Sequence, residues 1–224
     1  KGAIEIAGGL LSDDPASVEG HLLMARAASA GKQWKTALEA IERVLALHPR
    51  HADAYYLRGM VHEERQRPEE AIADFDRVLA IDAGHADPLD RKGGLHDARG
   101  EFDQALGCAQ RLVELNADEP NAHDKFGIVL RELGRLDEAA AAFERALEID
   151  PGLDAARCHL ALLRADQGGF AEADAELEAV LAKESDHAQA RWIRAVCTLL
   201  QGRFETAWDD YESRDARLKI RPLA

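Results

Sequence analysis

Residues 120–153, PNAHDKFGIVLRELGRLDEAAAAFERALEIDPGL, predict two amphipathic helices separated by a short break. Several residues of the first half follow the i, i+3, i+4, i+7 spacing of one helix face: His123, Phe126, Gly127 and Leu130. Gly134 ends this helix, and a second apolar stripe follows: Leu136, Ala139, Phe143, Ala146 and Leu147. Pro151 closes the second helix. The segment therefore predicts a helical hairpin.

The same pattern recurs along the chain with a fixed period, which equals the length of the segment 120–153. Steps of this length from Ala139 always land on alanine: Ala37, Ala71, Ala105, Ala173 and Ala207. The steps from Gly127 land on small residues: Ala25, Gly59, Gly93, Ala161 and Ala195. The steps from Phe143 land on Ile41, Phe75, Ala109, Leu177 and Tyr211. Because small residues sit in the middle of both stripes, we expect the two helix backbones of each hairpin to approach closely.

A period of this length that combines a glycine, an alanine, an aromatic residue and a closing proline resembles the tetratricopeptide repeat. The resemblance covers residues 18–221. Other residues replace the leading tryptophan of that signature: His21, Tyr55, Leu89, His123, Arg157 and Arg191. The closing proline survives only as Pro49 and Pro151. The resemblance implies an all-α fold, a right-handed superhelical α-solenoid of antiparallel helix pairs.

The phase of the pattern predicts six repeats, which we count as one solenoid because each repeat contacts only its neighbours. The predicted repeats are residues 18–51, 52–85, 86–119, 120–153, 154–187 and 188–221. Residues 1–17 are predicted to be the second helix of a truncated preceding repeat. The helix break of the first repeat is expected at Gly31, and in the second repeat Gln66 replaces the usual glycine.

Two repeats depart from the others in composition. Residues 86–119 are predicted to be the weakest repeat, because Gly93, Gly94, Gly107 and Ala109 supply little packing volume. In residues 188–221 the first helix carries apolar residues on faces expected to meet water: Trp192, Ile193, Val196, Leu199 and Leu200. Terminal repeats normally need a polar outer face. Trp192, Val196 and Leu199 are therefore expected to form a contact surface, with packing into the core as the alternative.

Composition argues against several classes of partner. A net charge of −14 disfavours nucleic acid and anionic membranes, which need clustered lysine and arginine. No apolar run approaches the length of roughly 20 residues that spans a bilayer. Cys108, Cys158 and Cys197 are too few and too scattered for a disulfide framework, which favours a reducing, cytoplasmic location. A signal peptide upstream of Lys1 stays open.

Catalytic and cofactor motifs are not found in the sequence. There is no phosphate-binding glycine loop, no dinucleotide fingerprint and no nucleophile elbow. The nine histidines are not joined by cysteines or carboxylates at metal-ligand spacing. The sequence therefore predicts a non-catalytic protein with no cofactor and no metal, whose function is to bind a protein or peptide.

The resemblance implies that the first helices of the repeats line a concave groove that binds the partner. The candidate groove residues are Leu22, Arg26, Tyr56, Met60, Asp90, Arg91, Asp124, Lys125, Arg131, Cys158, Leu162, Trp192, Val196 and Leu199. Some family members grip a peptide's terminal carboxylate with asparagines. The matching places hold Arg26, Met60 and Arg91, so that mode of binding is not expected.

Two alternatives remain open at this point. The segment around Trp208, Tyr211, Glu212 and Arg214 loosely resembles the junction at which bacterial proteins join such repeats to a glycosyltransferase domain. The chain would then be the substrate-recruiting arm of a larger enzyme. Alternatively, it is a scaffold that forms homo-oligomers through its C-terminal repeat.

Overall fold

A computed structural model describes residues 2–204 and residue 207. The described residues form twelve α-helices and no strand. In chain order they are α1 (Gly2–Asp13), α2 (Val18–Ala30), α3 (Trp34–Leu47), α4 (Ala52–Glu64), α5 (Pro68–Ile81), α6 (Ala86–Ala98), α7 (Phe102–Leu115), α8 (Pro120–Glu132), α9 (Leu136–Ile149), α10 (Asp154–Asp166), α11 (Phe170–Leu181) and α12 (Ala188–Leu200). The prediction of an all-α fold built from helix pairs is confirmed.

The helices recur with the period of the sequence. The first helix of each pair begins at residue 18, 52, 86, 120, 154 or 188, so the helix starts are evenly spaced along the chain. The pairs α2–α3, α4–α5, α6–α7, α8–α9 and α10–α11 pack side by side. Short connections of this kind place consecutive helices antiparallel.

The chain divides into two compact units, Lys1–Leu115 and Asn116–Ala224. Unit 1 holds α1 to α7, and unit 2 holds α8 to α12. In unit 1, α1 runs through Gly8 and Gly9 and packs on α2, where Leu11 covers Gly20. The grouping of the helices into six repeats of one solenoid, and the role of residues 1–17 as half of a further repeat, stay predictions.

The turn after each of the helices α2, α4, α6, α8, α10 and α12 places one residue in the left-handed backbone region, and these residues recur with the same period as the helices. Four of them are glycines with positive φ: Gly100 at 71°, Gly134 at 72°, Gly168 at 80° and Gly202 at 75°. The first two turns use Lys32 at φ 55° and Gln66 at φ 58° instead. Gly31, predicted as the break, does cap α2, but its φ is −86°. The left-handed residue of the first turn is therefore Lys32, one position later than expected.

The close approach of the paired helices is confirmed at the small residues. A Cβ atom placed on Gly127 would lie 2.6 Å from Cε1 of Phe143, and one placed on Gly59 would lie 2.6 Å from Cε1 of Phe75. Where the first helix has alanine, as at Ala25 and Ala161, the corresponding partners are the smaller Ile41 and Leu177, both fully buried. The ring of Phe143 is also fully buried. In these four hairpins the size of the residue on the first helix is thus matched to the bulk of its partner.

The core of unit 2 corrects one prediction about α12. Ile193, expected on a face that meets water, is fully buried in a cluster with Leu177, Val180 and Cys197. Its neighbour Trp192 points away from that cluster and keeps 40% of its surface exposed. Successive helix residues are about 100° apart, so one position separates the core face of α12 from its outer face.

Candidate functional site

The predicted groove residues of unit 1 lie together on its first helices. We call the surface that carries them the first-helix face of unit 1, and its members on α2, α4 and α6 are Leu22, Arg26, Tyr56, Met60, Asp90 and Arg91. Arg26 is exposed and the others are half-buried. They are therefore accessible and also held by neighbours.

Arg91 and Tyr56 join two neighbouring first helices. The Nε of Arg91 donates to the hydroxyl oxygen of Tyr56 at 3.1 Å, and its Nη1 donates to the carboxylate of Glu63 at 2.8 Å. The Tyr56 ring stacks on His85 at 5.7 Å between centroids. Partial burial opposes the charge of Arg91, but the hydrogen bonds that it donates to Tyr56 and Glu63 outweigh this effect and raise the pKa of the guanidinium. This part of the face is ordered before any partner binds.

Beneath this face, a charged cluster ties three helices together. Arg58 on α4 donates two hydrogen bonds to Asp74 on α5, at 2.7 and 2.9 Å, and a third to Glu42 on α3 at 2.6 Å. Asp74 is buried, and its hydrogen bonds are the main reason that the pKa of Arg58 is raised. His62 Nε2 lies 3.8 Å from the same carboxylate, but burial lowers the pKa of His62. Because Arg58 and the buried Asp74 satisfy each other within the fold, we interpret the cluster as structural.

A cavity of about 400 Å³ opens between α2 and α4 on the first-helix face of unit 1. Its lining is Arg26, Ser29, Ala30, Lys32, Trp34, Leu57, Met60, Val61 and Glu64. Of these residues, only Arg26 and Met60 were predicted as site residues. A second, more open depression of about 1170 Å³ follows α3 and includes Met24, Leu38 and Arg43. The smaller cavity, which we call the α2–α4 cavity, includes two of the predicted residues, Arg26 and Met60.

Trp34 is the main cavity residue that sequence reasoning missed. It is the first residue of α3, directly after the turn, and the equivalent places in the next pairs hold Pro68, Phe102, Leu136 and Phe170. The sequence does contain a signal for Trp34, because tryptophan is the largest of the side chains found at this place in the pairs. The predicted groove residues all lie on first helices, whereas Trp34 begins a second helix.

In unit 2, two of the predicted residues on α8 link this helix to the next first helix, α10. The buried carboxylate of Asp124 on α8 lies 2.8 Å from Nδ1 of His159 on α10. Arg131 donates from Nε to Asp166 at 3.1 Å, while Lys125 is exposed. His159 and Asp166 were missed, although each follows its partner at the same sequence separation as that between Tyr56 and Arg91. Counting the same number of residues forward from Asp124 and from Arg131 leads to His159 and Asp166.

Cys158 does not line an accessible surface, contrary to prediction. It is fully buried, and burial, together with nearby Asp154 and Asp124, raises the pKa of its thiol to about 11. Helix α10 packs against both α8 and α12, so a short side chain on this face is covered. Leu162 is half-buried and packs on the same core cluster.

The outer side of α12 is apolar, as expected. Trp192 is 40% exposed, Leu200 is 62% exposed, and Phe204 in the following segment is 67% exposed. Val196 and Leu199 are half-buried. That this surface binds something stays a prediction. The residues of the glycosyltransferase-like motif, Trp208, Tyr211, Glu212 and Arg214, lie outside the described residues.

The described residues show neither a metal-binding cluster nor a membrane-spanning helix. Across residues 2–204 and residue 207, no three histidine, cysteine, aspartate or glutamate side chains gather in a way that could hold a metal ion. None of the helices described here has both the length and the hydropathy that crossing a bilayer requires.

Comparison with known proteins gives one family and several related folds. A family model described as tetratricopeptide repeat matches residues 22–86, 91–154 and 158–217. No curated protein matches the chain by sequence. Among solved structures, YrrB, described as a TPR protein with an unusual peptide-binding site, is 26% identical, with a TM-score of 0.68 over 82% of this chain and 95% of its own.

Two further solved structures share the fold. MamA is 23% identical, with a TM-score of 0.68 over 77% of this chain and 94% of its own. A tetratricopeptide repeat protein from Parabacteroides merdae is 20% identical, with a TM-score of 0.74 over 97% of this chain and 86% of its own.

Proposed function

The chain belongs to the tetratricopeptide repeat family, and from this premise we propose that it is a non-catalytic interaction scaffold that binds a peptide or partner protein on its first helices. In unit 1 the binding surface is the first-helix face. In unit 2 it is the equivalent surface of α8, α10 and α12. A cytoplasmic location remains our expectation from the cysteine usage.

The observation that carries this proposal is the linkage of neighbouring first helices through buried and half-buried side chains. Tyr56 bonds to Arg91 in unit 1, and Asp124 bonds to His159 in unit 2. Side chains held in this way lose little conformational freedom when a partner arrives, which lowers the entropic cost of binding.

The α2–α4 cavity supports the same function. Its volume of about 400 Å³ lies within the range of known ligand pockets, and most of its wall is apolar. Buried clefts with a few polar groups at the edge favour binding because they remove apolar surface of the partner from water. YrrB, with the same fold and 26% identity, is described as having a peptide-binding site, which makes a peptide the favoured class of partner.

A phage-displayed library of random peptides, panned against the purified protein, tests this function. Peptides that bind the wild type should lose binding to a Met60→Glu variant, because the change places a charge in the cavity wall. The matched control is Leu47→Glu, a similar change at an exposed apolar position on α3 outside the cavity. Melting curves establish that both variants fold. Recovery of no specific binder, or equal binding to all three proteins, would contradict the proposal.

Self-association through the C-terminal repeat is a second candidate function. It is favoured by the three exposed apolar side chains Trp192, Leu200 and Phe204. The role of a recruiting arm for a glycosyltransferase is not proposed, since no finding supports the resemblance of the C-terminal motif to that junction.

A further inference from the structure

We propose that the α2–α4 cavity receives one large apolar side chain of a partner segment that carries lysine or arginine next to that side chain. This inference rests on the proposed function and deepens it, because it names the chemistry of the partner: a basic segment with an apolar anchor.

The wall of the cavity selects an apolar anchor. Trp34, Leu57 and Met60 are half-buried around it, and Val61 behind them is buried. Trp34 and Leu57 also pack on the core cluster of α2, α3 and α4, so the wall is fixed from behind. The volume of about 400 Å³ has room for a large apolar side chain and is too small for a folded element. Such an anchor removes apolar area from water on both partners.

One polar group of the wall lacks a partner. Ser29 lines the cavity, and its hydroxyl oxygen is buried without a hydrogen bond within the described part of the chain. A buried hydroxyl in this state is costly. Rotation of the Ser29 side chain toward the cavity would let a backbone amide of the bound segment donate to the hydroxyl oxygen and remove that cost.

The surface next to the cavity is acidic. Along α4, Asp53, Leu57, Met60 and Glu64 follow one helix stripe, so the cavity lies between two carboxylates. Helix α6 adjoins this stripe through the bond from Arg91 to Tyr56. The carboxylates of α4 and α6 are Asp53, Glu63, Glu64, Asp87, Asp90 and Asp97. Two cations of these helices, Arg58 and Lys92, pair with carboxylates of α3 and α5. The other cations of α4, α6 and the cavity wall are Arg26, Lys32 and Arg91.

Two of these cations are already engaged by carboxylates. Arg26 pairs with Asp53 at 3.5 Å, and Arg91 pairs with Glu63 at 2.8 Å. The remaining excess of negative charge attracts a partner with lysine or arginine, and it repels an acidic peptide or a nucleic acid. Charge complementarity therefore favours a basic segment that extends from the cavity toward α6.

The inference is tested with three short fluorescein-labelled peptides and fluorescence anisotropy. The first has a central leucine flanked by lysines, the second replaces the lysines with glutamates, and the third replaces the leucine with serine. We expect the first to bind at least about tenfold more tightly than either of the others. Its affinity should fall as salt is added, because salt screens exposed charges.

Two variants locate the binding. Ala30→Trp fills the cavity from an exposed position at the end of α2 and should weaken the lysine–leucine peptide about tenfold. Ala80→Trp, at an exposed alanine of α5 outside the cavity, is the matched control and should bind like the wild type. Glu64→Lys should reduce the factor by which the lysine peptide binds more tightly than the glutamate peptide. The inference is overturned if the glutamate peptide binds as well as the lysine peptide, or if Ala30→Trp has no effect.

The peptide library separates this inference from the proposed function. If selected peptides depend on Met60 but contain acidic residues or no apolar anchor, the inference is wrong and the proposed function stands. If the library yields no specific peptide, the proposed function itself fails. Enrichment of lysine or arginine beside a large apolar residue supports both.

Discussion

Gly127 and Phe143 fit against each other so closely that a Cβ atom on residue 127 would lie 2.6 Å from the ring. Gly59 and Phe75 repeat this contact at the same sequence separation, two periods earlier in the chain. Where the small residue is alanine, as at Ala25 and Ala161, the corresponding partner is aliphatic, Ile41 or Leu177. The repeat period is therefore visible in the sequence because it records a packing contact, and several consequences can be measured.

Gly127→Ala should destabilise unit 2 by about 1–3 kcal/mol, because the added methyl group overpacks the ring of Phe143. Urea denaturation measures this difference. The double variant Gly127→Ala with Phe143→Leu recreates the Ala161–Leu177 pair and should recover part of the loss. Gly107→Ala is the control, since nothing lies within 4 Å of the added Cβ, and should stabilise α7 by about 0.5–1 kcal/mol. The same sign of change at both glycines would refute this packing model.

The turn between α2 and α3 offers a second test. Lys32 has φ 55°, a conformation that costs a residue with a side chain about 1–2 kcal/mol. Lys32→Gly should therefore raise the free energy of unfolding, although the freer unfolded chain offsets part of the gain. Gly31→Ala, one position earlier at φ −86°, needs no such relief and should change stability little. A loss of stability in Lys32→Gly would contradict the assignment of the left-handed residue.

Lowering the pH should destabilise the protein through His62, which lies in the cluster around Asp74. Burial lowers the pKa of His62 below its usual value near 6.5, even though Asp74 and Glu70 favour the charged form. The unfolded chain therefore takes up a proton first as the pH falls. The stability associated with neutral His62 is present above about pH 6.5 and is lost progressively toward the lower folded pKa. Urea midpoints between pH 7.5 and about pH 5.5 should fall less in His62→Gln than in the wild type. If the urea midpoints of His62→Gln and the wild type fall in parallel, His62 is not the source of the loss of stability at low pH.

Exposed apolar side chains near α12 predict self-association. Sedimentation velocity over a concentration series should show the wild type forming larger species, and Leu200→Glu should shift it toward the monomer. Because Leu200 is 62% exposed, this change should leave the melting temperature nearly unchanged. Leu47→Glu, at an apolar position 46% exposed on α3, is the control. A wild type that stays monomeric at every concentration would remove this candidate function.

The helices and their contacts could be predicted because the period, the small residues and the turn residues are all local signals. The α2–α4 cavity could not be predicted, since it depends on how Trp34, at the start of α3, meets Leu57 and Met60 on the next pair. Core and outer faces are one residue apart on a helix, which explains why Ile193 was assigned to the wrong face. Cys158 has the right phase, but its side chain is too short to reach the surface between α8 and α12.

The chain has two methionines, Met24 and Met60, and their methyl groups allow the most direct test of binding on the first-helix face. Met60 lines the α2–α4 cavity, whereas Met24 lines the depression along α3. In a protein labelled with ¹³C at the methionine methyl groups, a Met24→Leu variant assigns the two NMR signals. A peptide selected from the library is then titrated in. The account predicts that the Met60 signal shifts to saturation while the Met24 signal stays in place. A bound peptide that shifts Met24 and leaves Met60 unchanged would contradict it.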